Sequence, residues 1–387
     1  MLYWPKGVTV DTTGDIHTAD KFNNRIRKII MSTGVITTVA GDGNRKALED
    51  NVSATSTSLF LPDDVAVDPS GNMFIAEADI NRIRKVSAAT GMITTIAGKG
   101  LDRLFQSRGR SASGSATDYY LYRPTGVTLD ASGNVYVVDQ GLNAIFKITV
   151  SSGNISIVAG TTESSGYNGD DILATTATLK GPELNVAFDA SGNTYISDTY
   201  NRRIRKVTAS TGMISTVAGT GAAIAWPVSA DAPFNGEGGL ATLAPLYVPT
   251  GVAVDVAGNL YFADYTLGVV RKVTFNGATH ICYITSLSKR RTVCSSGFYS
   301  NSIHPRCSCS EAKHIYLNGS YTRCLILTLL IHINILQGLS RTFFHSHTKL
   351  FSYTFCPDTP FYNNLTEFTI DSSSTSRLID LSLGHID

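Results

Sequence analysis

GVAVDVAGNLYFAD (residues 251–264) contains the pattern that decides the fold of this 387-residue chain. A short β-branched run ends in Asp, a turn containing Gly follows, and a second apolar run ends in an acidic residue. The opening of this pattern occurs five times, as GVTVD (7–11), DVAVD (64–68), GVTLD (126–130), NVAFD (185–189) and GVAVD (251–255). The closing aspartates of successive openings are 57, 62, 59 and 66 residues apart. A period of this length indicates an array of structural repeats.

Each unit contains four short apolar runs with the alternation typical of β-strands. Two glycines in each unit mark turns that require positive φ. The first set, between runs one and two, is Gly14, Gly71, Gly133, Gly192 and Gly258; the second set, between runs three and four, is Gly34, Gly91, Gly153, Gly212 and Gly277. A lone four-stranded sheet cannot bury both faces, so the units must stack. The sequence therefore predicts an all-β propeller of four-stranded antiparallel blades starting near 7, 64, 126, 185 and 251.

These residues resemble the NHL repeat over positions 5–286, most clearly in GNLYFAD and NRRIRKV. The interblade stretch GYNGDDILATTATLKGPELN (166–185) is similar to the loops of long-form NHL proteins. The resemblance implies a propeller of the six-bladed, TolB-like kind, whereas five units are visible here. Either the ring closes with five blades or blades are missing. We favour missing N-terminal blades, because the chain begins on the first strand of a blade and has no spare strand to complete the last one.

Composition divides the chain near residue 286. Residues 1–286 hold 30 of the 34 glycines and a formal charge of −2, whereas 287–387 hold five of the six cysteines and a charge of +3. We expect the first part to be the propeller and the second a cysteine-containing tail, poorly ordered beyond about residue 310. The tail is interpreted as translated non-coding sequence, a degenerate extracellular Cys-rich module, or an anchor. Its cysteines lack the CxxC spacing of a zinc ribbon.

The sequence does not identify the cellular compartment of the protein. No signal peptide is visible at the N-terminus. The longest apolar run, from Cys324, is interrupted by polar residues and is shorter than the roughly 20 residues of a membrane helix. An extracellular location follows only if the tail is a genuine Cys-rich module.

The resemblance also admits enzymes, since related propellers include metal-dependent lactonases and esterases and a lyase with a His-bound metal. Before His280 this chain has a single histidine, His17, so a polyhistidine metal site in the repeats is excluded. Two acidic columns remain. The first is Asp11, Asp68, Asp130, Asp189 and Asp255; the second is Asp20, Glu77, Asp139, Asp198 and Asp264. A residue present in every blade serves a need of every blade, so we interpret both columns as structural, with Glu77 as the one candidate metal ligand.

Basic residues also form columns in the third run of each unit. They are Arg25, Arg82 and Arg203; Arg27, Arg84, Arg205 and Arg271; and Lys28, Lys85, Lys147, Lys206 and Lys272. Some NHL domains bind RNA through a basic face, which requires clustered positive charge and aromatic stacking. Because the propeller segment is slightly acidic, we expect these columns to be a solvated, ion-paired strand face.

The sequence therefore favours a non-catalytic scaffold that binds a protein or glycan on a propeller face, with no catalytic residue and no cofactor. The alternatives are a lactonase- or esterase-like hydrolase with a divalent ion in the channel and, third, RNA binding through the Arg and Lys columns. The formal net charge of +1 argues against nucleic acid and membrane as partners.

Overall fold

The protein is described by a computed structural model. It covers residues 1–45, 49–100, 113–162, 164–222 and 238–274 in full, and the backbone of strands at 279–282, 348–354, 364–370 and 378–381. These residues contain no α-helix. Their helical turns are six three-residue 3₁₀ segments, Lys21–Asn23, Ala78–Ile80, Ala116–Asp118, Ala174–Thr176, Thr199–Asn201 and Ala241–Leu243. None of the described helices has the length and hydropathy of a membrane span.

The strands between residues 5 and 282 form five antiparallel sheets in a ring, giving a five-bladed β-propeller. Blade 1 comprises β1 (Pro5–Val10), β2 (Ile16–Asp20), β3 (Arg25–Ile30) and β4 (Val35–Ala40). Blade 2 comprises β5 (Val52–Ser53), β6 (Asp64–Val67), β7 (Met73–Glu77), β8 (Arg82–Val86) and β9 (Met92–Ala97). Blade 3 comprises β10 (Ser113–Ser115), β11 (Pro124–Leu129), β12 (Val135–Asp139), β13 (Ala144–Thr149) and β14 (Asn154–Ala159). Blade 4 comprises β15 (Ile172–Leu173), β16 (Val186–Phe188), β17 (Thr194–Asp198), β18 (Arg203–Val207) and β19 (Met213–Ala218). Blade 5 comprises β20 (Pro249–Val254), β21 (Leu260–Asp264), β22 (Val269–Val273) and β23 (Thr279–Cys282).

The prediction of four strands per blade is correct for blades 1 and 5 and one strand short for blades 2, 3 and 4. In each of these three blades the loop from the preceding blade lays two or three residues along the outermost strand. The pairing satisfies edge N–H and C=O groups that would otherwise be open to another chain. Such short additions carry no alternation of their own, so periodicity did not reveal them.

Apolar side chains between consecutive blades form the core. Four clusters, each shared by two neighbouring blades, connect blades 1 to 2, 2 to 3, 3 to 4 and 4 to 5 within the described residues. At the seam between blades 2 and 3, Phe74 and Ile83 of blade 2 belong to the same cluster as Phe146 of blade 3. Each such side chain contributes about 1.5–3 kcal/mol when fully buried, so the stacking of blades stabilises the ring.

Side-chain amides also connect the blades. The side-chain oxygen Oδ1 of Asn24 accepts a hydrogen bond from the backbone amide of Leu61 in blade 2 (3.1 Å). Asn81 accepts one from Arg123 of blade 3 (2.8 Å), and Asn143 one from Gly181 of blade 4 (2.8 Å). All three asparagines have left-handed φ, between 52° and 58°, which Asn tolerates better than most residues. The same repeat position is Arg202 in blade 4 and Gly268 in blade 5, so this contact is not repeated there.

Three further strands lie in the C-terminal segment. β24 (Thr348–Thr354), β25 (Asn364–Ile370) and β26 (Leu378–Leu381) form an antiparallel sheet. The prediction of a poorly ordered tail, the apolar run from Cys324 and the hairpin Gly277 lie largely or wholly outside the described residues.

Candidate binding face around the central channel

One side of the propeller gathers the segments that differ most between blades. On this side the inner strands begin and the second strands end, as the pairings Pro5–Asp20, Pro124–Asp139 and Pro249–Asp264 record. We call it the channel face. The opposite face carries the Asp-x-x-Gly turns and the hairpins between third and fourth strands.

The second acidic column holds the backbone of the channel face in place. Its five members, Asp20, Glu77, Asp139, Asp198 and Asp264, are fully buried. Each accepts a hydrogen bond from the backbone amide of a residue leading into the inner strand of its own blade: Tyr3, Phe60, Tyr122, Lys180 and Tyr247. Four of these five residues are aromatic. The buried carboxylates therefore fix the backbone of four aromatic residues, two of which, Tyr3 and Tyr122, have exposed side chains.

The prediction that the arginines are solvated is wrong for three members of the second arginine column. Arg84, Arg205 and Arg271 are at most 1% exposed and are among the largest fully buried side chains. Arg205 Nη1 lies 3.5 Å from Asp198 Oδ2, while its Nη2 donates to Asp170 Oδ1 of the interblade loop (3.0 Å). Arg84 repeats both contacts, with a carboxylate of β7 and one of the loop before β5. Interblade loops cover Arg84 and Arg205, which strand alternation alone does not predict.

The first acidic column closes the turns of the opposite face. Asp68 Oδ1 accepts from the amides of Ser70 (2.9 Å) and Asn72 (2.8 Å), and Asp130, Asp189 and Asp255 repeat this geometry. The lysine column lies beside it, as expected for an ion-paired face: Lys147 Nζ is 3.1 Å from Asp130 Oδ2. The turn glycines Gly14, Gly71, Gly133, Gly192 and Gly258 have φ between 76° and 85°.

His17 occupies the position that is aromatic in the other blades. Its Nε2 lies 3.0 Å from Asp11 Oδ2, beside Lys28, and burial lowers the pKa of its imidazole. His17 lies near the start of β2, toward the opposite face, whereas the strand reaches the channel face at Asp20. The described residues contain no group of three or more His, Cys, Asp or Glu placed to hold a metal ion.

Exposed aromatic rings gather on the channel face. Six large aromatic side chains are exposed among the described residues, and five belong to this face: Tyr3 (60%), Trp4 (42%), Tyr122 (38%), Tyr200 (54%) and Tyr265 (44%). The sixth, Tyr167, lies in an interblade loop against Arg203. Tyr and Trp are enriched in protein interfaces, because they bury much area and retain a polar group.

The channel opens in the middle of this face. A cavity of about 170 Å³ is lined by the inner strands of blades 1 to 3 and the start of that of blade 4, including Asp64 and Asn185. Glu77 does not line it. At its mouth Lys6 Nζ lies 2.6 Å from Asp63 Oδ1 and 3.6 Å from Glu183 Oε1. The repeat pattern does not point to these residues, because they differ from blade to blade. A specific site is nevertheless expected at positions that differ between blades.

Residues 42–225 match the family model of the teneurin NHL domain. NHL repeat-containing protein 2 of Bos taurus is 26% identical over 265 residues, which cover 61% of this chain and 35% of that protein. The repeat region is an NHL-type β-propeller. The chloroplastic protein SUPPRESSOR OF QUENCHING 1 of Arabidopsis thaliana is 24% identical over 280 residues, 70% of this chain and 25% of that relative. The chain thus spans a quarter to about a third of the length of these two relatives.

Among solved structures, virginiamycin B lyase from Staphylococcus aureus is similar to the NHL propeller with a TM-score of 0.44 and 17% identity. The match covers 74% of this chain and 72% of the lyase chain.

Two polar residues of the NHL propeller, the buried Asp64 and the half-buried Asn185, replace the glycine that opens the inner strand in the other blades. Asn185 Oδ1 accepts from the Val252 amide (3.1 Å), and its Nδ2 donates to the Val252 carbonyl (2.9 Å). Asp64 Oδ2 accepts from the Val127 amide (3.0 Å). Burial raises the pKa of Asp64 to about 7, although two backbone amides donate to the carboxylate and Lys6 lies nearby. Both side chains join their own blade to the next.

Asp64 is expected to destabilise the NHL propeller increasingly as pH rises from about 4 to about 7. The folded state holds a proton on Asp64 in this range, whereas the unfolded state, with the ordinary carboxyl pKa, has released it. Burial raises the pKa of Glu77 to about 7 and of Asp198 to about 6, which adds to the same trend. Asp64→Asn, which copies Asn185, should stabilise the protein at pH 8 by about 2–4 kcal/mol and change it little at pH 4.

Urea unfolding of both proteins at pH 4, 6 and 8 tests this expectation. Asp189→Asn is the matched control, because the pKa of Asp189 is lowered by its hydrogen bonds and the residue stays ionised across this range. An unchanged pH slope in Asp64→Asn would contradict the assignment.

Proposed function

We propose that this chain is a non-catalytic binding module that takes a protein ligand on the channel face. The observation that supports the proposal is the concentration of exposed aromatic side chains there, five of the six exposed among the described residues. Buried aromatic anchors carry much of the binding energy of protein interfaces. Buried carboxylates hold the backbone amides of two of these residues, Tyr3 and Tyr122, so little ordering of their backbone would be needed on binding.

The channel itself is a weaker candidate for a ligand site. Its volume of about 170 Å³ is below the roughly 300–1,000 Å³ of small-molecule pockets. Its lining is mainly Val, Leu, Ala and Gly, with Lys6, Asp64 and Asn185 as the main polar side chains. A ligand that rests on the face and covers the channel mouth fits this geometry better than one that enters the channel.

A peptide-display selection tests the proposal. Random 12-residue peptides are selected on the full chain and then measured against a variant with all five exposed aromatics changed to Ser: Tyr3, Trp4, Tyr122, Tyr200 and Tyr265. We expect selected peptides to lose at least tenfold in affinity for this variant.

The matched control changes exposed apolar residues of the opposite face, Val35→Ser with Val256→Ser, and should bind as the wild type does. Circular dichroism and the melting temperature verify that both variants are folded. Selected peptides that bind the face variant and the wild type equally would refute the proposal.

A further inference from the structure

Blades 3 and 4 present a patch of the channel face that combines cations with aromatic rings. We define the basic patch as Tyr122, Arg123, Lys180, Tyr200 and Arg202. Arg123 and Lys180 are exposed, and Arg202 is half-buried. Within the described part of the chain, no carboxylate forms an ion pair with any of these three cations.

Hydrogen bonds make the patch continuous across the seam between blades 3 and 4. The Arg123 carbonyl accepts from the Gln140 amide (3.1 Å), and the Lys180 carbonyl accepts from the Tyr200 amide (3.0 Å). Between them, Asn143 of blade 3 accepts from the Gly181 amide of blade 4 (2.8 Å). The two cation-bearing segments are therefore joined across the seam through the side chain of Asn143.

Two of the three cations depart from the repeat. Lys180 stands where the other four blades have an aromatic residue, namely Tyr3, Phe60, Tyr122 and Tyr247. Arg202 stands where the other blades have Asn or Gly. Its φ of 53° is one that Arg rarely adopts, at a cost on the order of 1 kcal/mol. Blade 4 thus has two cations without an ion-pair partner among the described residues, at positions where the other blades have an aromatic residue and Asn or Gly.

Several lysines of neighbouring surfaces form ion pairs with carboxylates. Lys6 and Lys21 at the channel mouth both contact Asp63, at 2.6 and 2.9 Å. On the opposite face, Lys28, Lys147 and Lys206 lie within 4 Å of the first acidic column. The basic patch differs from these surfaces in lacking acidic partners among the described residues.

We infer that the basic patch docks a short acidic segment of the protein partner, two or three Asp or Glu side chains flanked by apolar or aromatic residues. This inference rests on the proposed function and names the chemistry that its ligand supplies. Three cations match two or three carboxylates, and the rings of Tyr122 and Tyr200 offer apolar contact beside them. A nucleic-acid backbone fits less well, because its row of phosphates would extend beyond three cations and residues 1–286 carry a formal charge of −2.

The test restores the repeat. Lys180→Tyr with Arg202→Asn copies the residues of other blades, so the variant is expected to fold at least as well as the wild type while losing two charges. The probe is a labelled random copolymer of Glu and Tyr, and its affinity for the full chain is measured by fluorescence anisotropy at 50 and 300 mM NaCl. We expect binding that weakens with salt and falls at least tenfold in the double variant.

The matched control removes two cations from the other side of the propeller, Lys85→Gln with Lys206→Gln, and should keep the wild-type affinity. Equal loss in control and double variant, no binding of the copolymer to the wild type, or tighter binding of poly(U) RNA at the same salt would each overturn the inference. Peptides selected on the wild type separate the two ideas. If they require the five aromatics but bind the double variant normally, the acidic ligand is wrong and the binding face stands.

Discussion

Arg205→Ala is expected to lower the free energy of unfolding by about 3–5 kcal/mol at pH 8, the typical cost of removing one partner of a buried ion pair. The guanidinium is fully buried between Asp198 (3.5 Å) and Asp170 (3.0 Å), and it also donates to the Gly169 carbonyl (2.7 Å). Its loss leaves Asp198 buried without the cation and releases the loop that carries Asp170. Urea unfolding monitored by circular dichroism measures the difference.

The expected loss is smaller at pH 5 than at pH 8. The pKa of Asp198 is already raised by burial to about 6, and without the arginine it rises further, so protonation removes the uncompensated charge at the lower pH. Lys206→Ala is the matched control from the same strand. That side chain is partly exposed and 3.9 Å from Asp189, so its removal should cost under about 1 kcal/mol. A similar cost for both variants would contradict a structural role for the buried pair.

Gly126→Ala is expected to produce the other large effect. Gly126 opens the inner strand of blade 3, and a Cβ at this position would overlap the carbonyl oxygen of Leu184 in blade 4. Both contacting groups are backbone, so no side chain can rotate away and the seam between the blades has to open. We expect a loss of more than about 3 kcal/mol, beyond the usual cost of overpacking, or failure to fold.

Gly114→Ala provides the control for this substitution. Gly114 lies in β10, has ordinary φ, and a Cβ there meets no atom within 4 Å. Its replacement should leave the melting temperature unchanged or slightly raised, since Ala restricts the unfolded chain more than Gly does. If Gly126→Ala melts within a degree or two of Gly114→Ala, the inner strands of blades 3 and 4 are not packed as closely as described.

The repeat predicted the blades well because its signals are local. The period of two in the apolar runs and the Asp and Gly of each turn act within a few residues, and the strands follow these runs in all five blades. The short outer strands of blades 2 to 4 were missed for the corresponding reason. β5 and β15 contain two residues each, and their pairing depends on how the loop lies along the blade.

The candidate site was less accessible from sequence. Aligning the five units directs attention to residues that every blade shares, such as Asp68 and Asp198, and these hold turns and backbone segments in place. The proposed binding face instead contains residues that vary between blades, such as Lys180 and Arg202. Both residues occupy positions that break the repeat, but their sequence positions do not show that blade 4 places them beside Arg123 of blade 3 at one seam.

The sequence by itself determined the all-β class, the five units and the absence of a polyhistidine metal site in them, since each depends on residue types and spacing along the chain. Only the tertiary structure decided which charges are buried and which are exposed. Arg205 and Lys206 are adjacent in sequence, yet one is enclosed between a strand and a loop while the other remains partly exposed. Burial depends on what neighbouring blades and loops place over a side chain. For the same reason, the open cations of blades 3 and 4 became visible as a binding patch only in the assembled ring.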